Sequence, residues 1–207
     1  MPADGVLFDE DGYQDRTFSA VDADAAVVRD IRFDTCTFER SSFHGTRFES
    51  CIFDDCVFTD CALPLVSVLD CSFSATTFTD CKLTGVLWSD ADWSSSAVLE
   101  PFAFRRCVLD LSVFQGIRLD GVTFRDCSLR QADFSAASLR GADFSGSDLA
   151  GARFSATDLG GARLEEAHSY AIDAGDNRIA GMRVALPEAV SLLSSLGVEL
   201  VDPPPAP

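Results

Sequence analysis

Basic residues are scarce: 16 Lys and Arg stand against 33 Asp and Glu, a formal net charge of −17. That balance excludes direct nucleic-acid binding, which needs clustered cations to displace counterions from phosphate. It also disfavours adhesion to anionic membrane surfaces. Long hydrophobic runs are missing as well. The longest, ALPLVSVL over 62–69, is far too short to span a bilayer. The opening MPADGVLFDEDG has neither the cationic nor the apolar stretch of a signal peptide, so a cytoplasmic protein is expected. His44 and His168 are the only histidines, and no Ser-His-Asp arrangement, HExxH, P-loop or dinucleotide fingerprint occurs. Neither an enzyme nor a metal or cofactor is expected. Apolar residues, at 47%, are not lacking; disordered acidic tails fall well short of that, and 207 residues suffice for one domain with a sizeable core.

A five-residue period organises the chain. From Phe33, every fifth residue is apolar: Phe38, Phe43, Phe48, Phe53, Phe58, Leu63, Val68, Phe73, Phe78, Leu83, Trp88, Trp93 and Val98. The phase slips by one residue near Leu99–Pro101 and resumes at Phe104, continuing through Leu109, Phe114 and onward to Leu164. Independent draws at this composition would produce such a column about once in 10⁹ trials. Two residues before each large residue stands a small one, such as Cys36, Thr46, Ser112 or Ala132, with Phe102 the bulky exception beside the slip. Inward side chains two apart describe a short strand. The other positions are polar or turn-like, so each unit is one short edge and one corner.

This pattern resembles the pentapeptide-repeat family, whose units follow A(D/N)LXX; FRDCSLRQADFSAASLRGADFSGSDLAGARF over 124–154 matches closely. The resemblance covers 31–164 strongly and 6–30 weakly, through Val6/Phe8, Val21/Ala23 and Ala26/Val28. It implies an all-β fold: a right-handed quadrilateral parallel β-helix, with four pentapeptides per 20-residue coil. The expected organisation is an N-terminal cap with irregular first coils (1–30), a first β-helical part (31–98), the slip (99–103), a second part (104–164) and a C-terminal segment (165–207). A single one-residue slip predicts no inserted loop.

With 20 residues per coil, residues 20 apart stack at the inter-strand spacing. After the slip, Arg106/Asp126, Asp110/Arg130, Asp120/Arg140, Asp133/Arg153 and Asp143/Arg163 then become complementary pairs, with Arg105/Arg125 the like-charge exception. Phe and Leu alternate from Phe104 to Phe154, placing Phe on two opposite faces. Gly116, Gly121, Gly141, Gly146, Gly151 and Gly161 share one corner position, which suits a turn needing positive φ. The first half mostly has Asp, Ser or Thr there, so a different turn type is expected.

All eight cysteines fall in the small inward column and are expected as buried thiols; a Cys61–Cys81 disulfide is sterically conceivable. Trp88 and Trp93 belong to the large inward column and are expected in the core. Segment 165–186 lacks the period and reads as irregular connection, with turn signals at Gly175 and Asp176–Asn177. PEAVSLLSSLG (187–197) predicts a helix over about 187–196, with Pro at its start, a stripe of Ala189, Leu192, Leu193 and Leu196, and Gly197 as a stop. A solenoid needs its ends covered, so this stripe caps the last coil, meets a partner, or both.

The charge is uneven: residues 1–103 hold 19 acids and 6 bases, whereas 104–164 hold 7 acids and 8 bases. Asp34/Asp54, Asp60/Asp80 and Asp70/Asp90 form like-charge stacks, with Arg40/Asp60 the one compensated pair there. Corner aspartates serve turn geometry and solubility; an uncompensated acidic ladder also suits a basic partner. The family resemblance extends to its Qnr/MfpA-like group in size, acidity, phase slip and closing segment. It implies a homodimeric, non-catalytic DNA mimic that binds DNA gyrase or topoisomerase IV, with quinolone resistance or protection from a topoisomerase poison as the outcome. The alternative is a β-helical scaffold for another protein partner.

Overall fold

The computed structural model describes residues 8, 10–93, 102–199 and 201. Its parallel strands wind into a β-solenoid of about eight turns, with one short α-helix near the C-terminus among the described residues. Strands or single-residue bridges stack from coil to coil along each face. Face 1 pairs Gly12–Gln14, Arg32–Asp34, Ile52–Asp54 and Ser72–Ser74. Face 2 pairs Thr17–Ser19, Thr37–Glu39, Val57–Thr59, Thr77–Thr79, Ala103–Arg105 and Thr123–Arg125. Face 3 is a ladder of single bridges, beginning Asp22, Ser42, Ala62 and Lys82. Face 4 pairs Val27–Arg29, Arg47–Glu49 and Ser67–Leu69.

The large column fills the interior. On face 2, seven rings from Phe18 through Phe38, Phe58, Phe78, Phe104 and Phe124 to Phe144 stack with centroids 4.5–5.3 Å apart. Face 4 stacks Trp88, Phe114, Phe134 and Phe154 at 6.1, 5.0 and 5.2 Å. Rings of adjacent faces meet edge-on, as Phe124 and Phe134 do at 5.7 Å and 73°; aromatic quadrupoles favour that geometry. After the interruption Leu fills faces 1 and 3, as the alternation requires, and Leu119, Leu129 and Leu139 are buried.

The small column has a second task besides fitting the space. Thr46 donates its hydroxyl to the Ala23 carbonyl at 2.7 Å, Ser112 to Leu83 at 2.9 Å and Ser147 to Phe124 at 2.8 Å. Cys36, Cys56, Cys61 and Cys81 place their thiols in the same way, on Tyr13, Phe33, Phe38 and Phe58 carbonyls at 3.4–3.5 Å. A small side chain with one donor suits an interior site facing a buried carbonyl, which explains the Cys/Ser/Thr usage. All eight cysteines are buried and free. Burial pushes the Cys56 thiol up to about 12, so its sulfur stays protonated.

The coils have the same left-handed corner residue in both halves. Gly121 and Gly141 have φ of 75° and 66°, but Thr35, Asp60 and Ala136 also lie at 52°, 53° and 58°. The turn varies with the kind of unit rather than with the half. Face 3 units close a turn, such as Thr46 N–H to the Phe43 carbonyl at 3.0 Å, whereas strand units such as Arg32–Asp34 run into a bend. Bridge units of the second half close it too, as Ala132 N–H does onto the Leu129 carbonyl at 3.1 Å. Because an L side chain in this conformation costs about 1–2 kcal/mol, Gly121→Ala is expected to lower stability by about 1 kcal/mol. Ala136→Gly should be neutral or stabilising. Urea unfolding of both variants checks this, and equal losses would mean that the corners are not left-handed.

Three expectations need correction. The phase slip of one residue corresponds to six extra residues: Thr77 pairs with Ala103, Lys82 with Val108 and Leu87 with Val113, each 26 apart instead of 20. A five-residue period cannot tell one from six. The excess lies between Trp93 and Phe102; Val98 and residues 99–101 lie outside the described residues. Beside this gap Phe73 and Trp93 are half-buried rather than enclosed, while Trp88 is buried as expected. Trp93 donates its indole N–H to the Trp88 carbonyl at 2.7 Å.

The second correction is at the C-terminal side, where the coil does not stop at Leu164. Arg163–Leu164 pairs with Arg183–Val184, and bridges join Asp148 to His168 and Asp158 to Arg178. Ile172 is buried and Asn177 nearly so, and the Asn177 amide donates to the Phe154 carbonyl at 3.1 Å in the manner of the small column. The column is still there, occupied by residues that break the sequence pattern. At the other end, Tyr13, Phe18, Ala23 and Val28 continue the large column, and the Phe8 ring meets those of Tyr13, Phe18 and Phe33 at 5.3–5.9 Å.

Third, the helix is shorter than expected. It spans Val190–Ser195, so Pro187 precedes it. Gly197, at φ 74°, ends it: Val198 N–H reaches the Leu193 carbonyl at 3.1 Å and Gly197 N–H reaches Ser194 at 3.0 Å, the paired bonds of a Schellman motif. Leu192 packs against the core, Ala189 is half-buried, and Leu193 and Leu196 face outward.

Candidate interaction surface

The charged side chains were expected to stack directly at 20-residue steps, and they do so in part. Arg153–Asp133 and Arg163–Asp143 bridge at 3.5 and 3.6 Å. Arg130 and Arg140 instead lean diagonally onto Asp148 and Asp158, each at 3.2 Å. Asp110 and Asp120 are left to accept the backbone N–H of those same arginines at 3.0 and 3.1 Å. A long side chain reaches its diagonal neighbour easily, so register alone does not fix its partner. Asp143 is the enclosed member, held by Arg125 at 2.5 Å on one side and Arg163 on the other. Burial pulls its pKa up, but hydrogen bonds from Ser145 and Arg125 outweigh it and leave the group below its ordinary value.

In the first half the compensation is also rearranged. Arg40 pairs with Glu39 at 3.1 Å rather than with Asp60. Arg29 meets Glu49 at 2.5 Å, and the Arg32 guanidinium sits 3.6 Å from Asp34 and 2.8 Å from Asp54. The Asp34/Asp54 stack is therefore clamped by one cation. Asp80 pairs with Arg106 at 2.8 Å across the 26-residue step, a partner hidden from any count by twenties. That hydrogen bond holds the Asp80 carboxyl below its usual range. Asp60, Asp70 and Asp90 form no ion pair among the described residues.

The six ladder aspartates do not share one line. Asp60 and Asp80 stand on the corner between faces 2 and 3; Asp70 and Asp90 stand on the diagonally opposite corner, between faces 4 and 1. Asp34 and Asp54 lie at the far edge of face 1. Face 1 is thus bordered by four of the six. Sequence reading missed three more that join them there: Asp30 on the 4–1 corner, and Asp15 and Asp55 on the 1–2 corner, all exposed. The signal was available, because an acid at a coil's last position and an acid at the end of its first unit flank the same face. With Asp11, face 1 and its corners present eight carboxylates against Arg32 over the four coils of residues 11–90.

No enclosed cleft interrupts this surface among the described residues. A small interior void of about 10 Å³ is walled by Phe48, Phe53, Leu63, Val66, Val68 and Trp88 without polar lining. No group of three or more His, Cys, Asp or Glu could hold a metal ion among the described residues. No helix there is long and apolar enough to cross a membrane.

The family model described as a pentapeptide repeat region matches residues 31–100 and 96–164. The chain belongs to the pentapeptide-repeat family. Among solved structures, this pentapeptide-repeat chain is similar to a trypsin-treated point variant of QnrB1, a plasmid-mediated fluoroquinolone resistance protein. The TM-score is 0.61 at 16% identity, covering 92% of this chain and 100% of that one. A second trypsin-treated point variant of QnrB1 matches with a TM-score of 0.55 at 18% identity, covering 92% and 99%. No curated protein matches the sequence. At such identities the likeness is one of fold.

Proposed function

We propose that this pentapeptide-repeat protein is a non-catalytic DNA mimic that binds a type II topoisomerase, DNA gyrase or topoisomerase IV, in the cytoplasm. The observation that carries the reading is the acidic face 1. Its net charge of seven, spread over four coils or ~19 Å, gives one charge per ~2.7 Å. That falls between a single DNA strand, at ~3.4 Å, and the duplex, at ~1.7 Å. A rigid rod with such a face fits a basic groove built for DNA. Likeness of fold to fluoroquinolone resistance proteins supports the same partner class.

The test is gyrase-catalysed DNA supercoiling, titrated with the protein in the presence and absence of a fluoroquinolone. Inhibition at low micromolar concentration or below is expected, and the drug arm separates protection from inhibition. Absence of inhibition with both gyrase and topoisomerase IV would overturn the reading.

Homodimerisation through the C-terminal segment belongs to the same proposal. Val190, Leu193, Leu196 and Val198 leave apolar surface exposed at one end of the rod, where a second copy would cover it. Analytical ultracentrifugation should give a dimer for the native chain and a monomer for Leu193→Asp with Leu196→Asp. Equal masses would remove the dimer from the proposal.

A further inference from the structure

The run at 62–69 turns Leu63, Val66 and Val68 inward but leaves Leu65 and Leu69 at 61% and 47% exposure. Two coils extend this apolar surface. Leu87 lies on face 4 at 48% exposure, bridged to the half-buried Val113, and Leu111 stands on the face 3–4 corner at 54%. Gly85 occupies that corner between Leu65 and Leu111, and a Cβ there would meet the Leu65 side chain at 2.8 Å. Leu65 therefore leans across the glycine toward the next coil. Together these leucines make a ridge along the solenoid axis.

The repeat itself does not ask for this ridge. Leu65 and Leu111 hold φ of 57° and 61°, a conformation that costs a bulky L residue about 1–2 kcal/mol and that Gly45, Gly85 and Gly151 meet without strain. Exposed, they return little to the core. Strain kept at an exposed apolar site points to use in recognition.

Charge selects the occupant. Along the other edge of face 4 run Asp70 and Asp90, which have no ion-pair partner among the described residues. A second copy of this chain would bring the same aspartates against them. An anionic lipid surface or a nucleic acid would be repelled likewise. A basic protein surface would satisfy them. Leu65 and Leu111 are two coils apart, ~10 Å, and Leu87 lies between. Residues i and i+7 of a helix are separated by ~10.5 Å, with i+3 or i+4 between them.

We propose that face 4 of the central coils is a docking site for a basic amphipathic helix of a partner protein. The helix lies along the rod, its apolar stripe on Leu65, Leu87 and Leu111 and its cations toward Asp70 and Asp90. This goes beyond charge mimicry of DNA and stands whether or not the partner is a topoisomerase.

The probe is a fluorescent 14-residue Leu/Lys amphipathic helical peptide, compared by anisotropy at 0.3 M salt with a peptide of equal charge in which Ser replaces Leu. At least about tenfold tighter binding of the Leu/Lys peptide is expected. Leu65→Gly, Leu87→Ser and Leu111→Gly together should erase that preference, while thermal unfolding stays as high or rises. Those substitutions install residues that the neighbouring coils already carry at the same positions, as at Gly85 and Ser67. Asp70→Asn with Asp90→Asn should weaken the peptide severalfold. Equal affinity for both peptides, no binding of either, or an undiminished preference in the triple leucine variant would each overturn the proposal.

Discussion

Phe134→Ala is expected to destabilise the protein by about 3–5 kcal/mol, the largest effect of any single substitution considered. The ring is fully buried, stacked between Phe114 at 5.0 Å and Phe154 at 5.2 Å, and met edge-on by Phe124 and Phe144 at 5.7 Å. Its removal withdraws contacts from three successive coils. In a solenoid each coil is stabilised mainly by its neighbours, so a hole in mid-stack weakens two interfaces. A typical domain has only about 5–15 kcal/mol in total. Arg140→Ala is the control, because its ion pair with Asp158 is carried by a side chain 63% exposed; such pairs contribute about 1 kcal/mol or less. Urea unfolding of the two variants should separate them by more than about 2 kcal/mol. Similar losses would mean that inside and outside have been exchanged.

The second large effect concerns face 1. Replacing Asp30, Asp34, Asp54, Asp55, Asp70 and Asp90 by Asn should weaken topoisomerase inhibition at least about tenfold, since charge complementarity governs encounter with a basic groove. The fold should survive, because these side chains sit on the surface and Asn also tolerates left-handed corners. Asp60→Asn with Asp80→Asn provides the contrast, as those two stand on the diagonally opposite corner and Asp80 is already neutralised by Arg106. Loss confined to the face 1 variant would locate the groove contact there. Undiminished inhibition by the face 1 variant would dismiss charge mimicry, and a loss shared with Asp60/Asp80 would leave net charge, rather than one face, as the cause.

Much of this architecture can be read in the chain because inward positions obey one rule, small then large, that no surface demand disturbs. The exceptions are physical rather than accidental. Between Leu164 and Arg183 the interior volume is filled out of turn: Tyr170 and Ile172 are buried while Ser169 takes the corner at φ 61°. A count by fives therefore fails where the coil does not. Five of the six excess residues were invisible for the opposite reason, since a whole repeat leaves the period unchanged and only the sixth shows as a slip. Surface charge is the least legible layer. Arg32 clamps two aspartates through side-chain reach rather than spacing, and Arg106 meets Asp80 only because the long coil brings residues 26 apart into register. The short helix was located correctly near the C-terminus, but its start moved because Pro187 and the two residues after it form turns instead.

The excess between Trp93 and Phe102 separates two quantities that most folds tie together. Chain can be added within a coil without lengthening the rod, because Thr77 and Ala103 still lie side by side. The molecule behaves as a ruler graduated in coils, each adding ~4.8 Å, however many residues a given coil contains. Extra residues there change the length of the chain but not the distance between features on the faces. Residue count can thus vary while the spacing that a partner measures along the rod is kept.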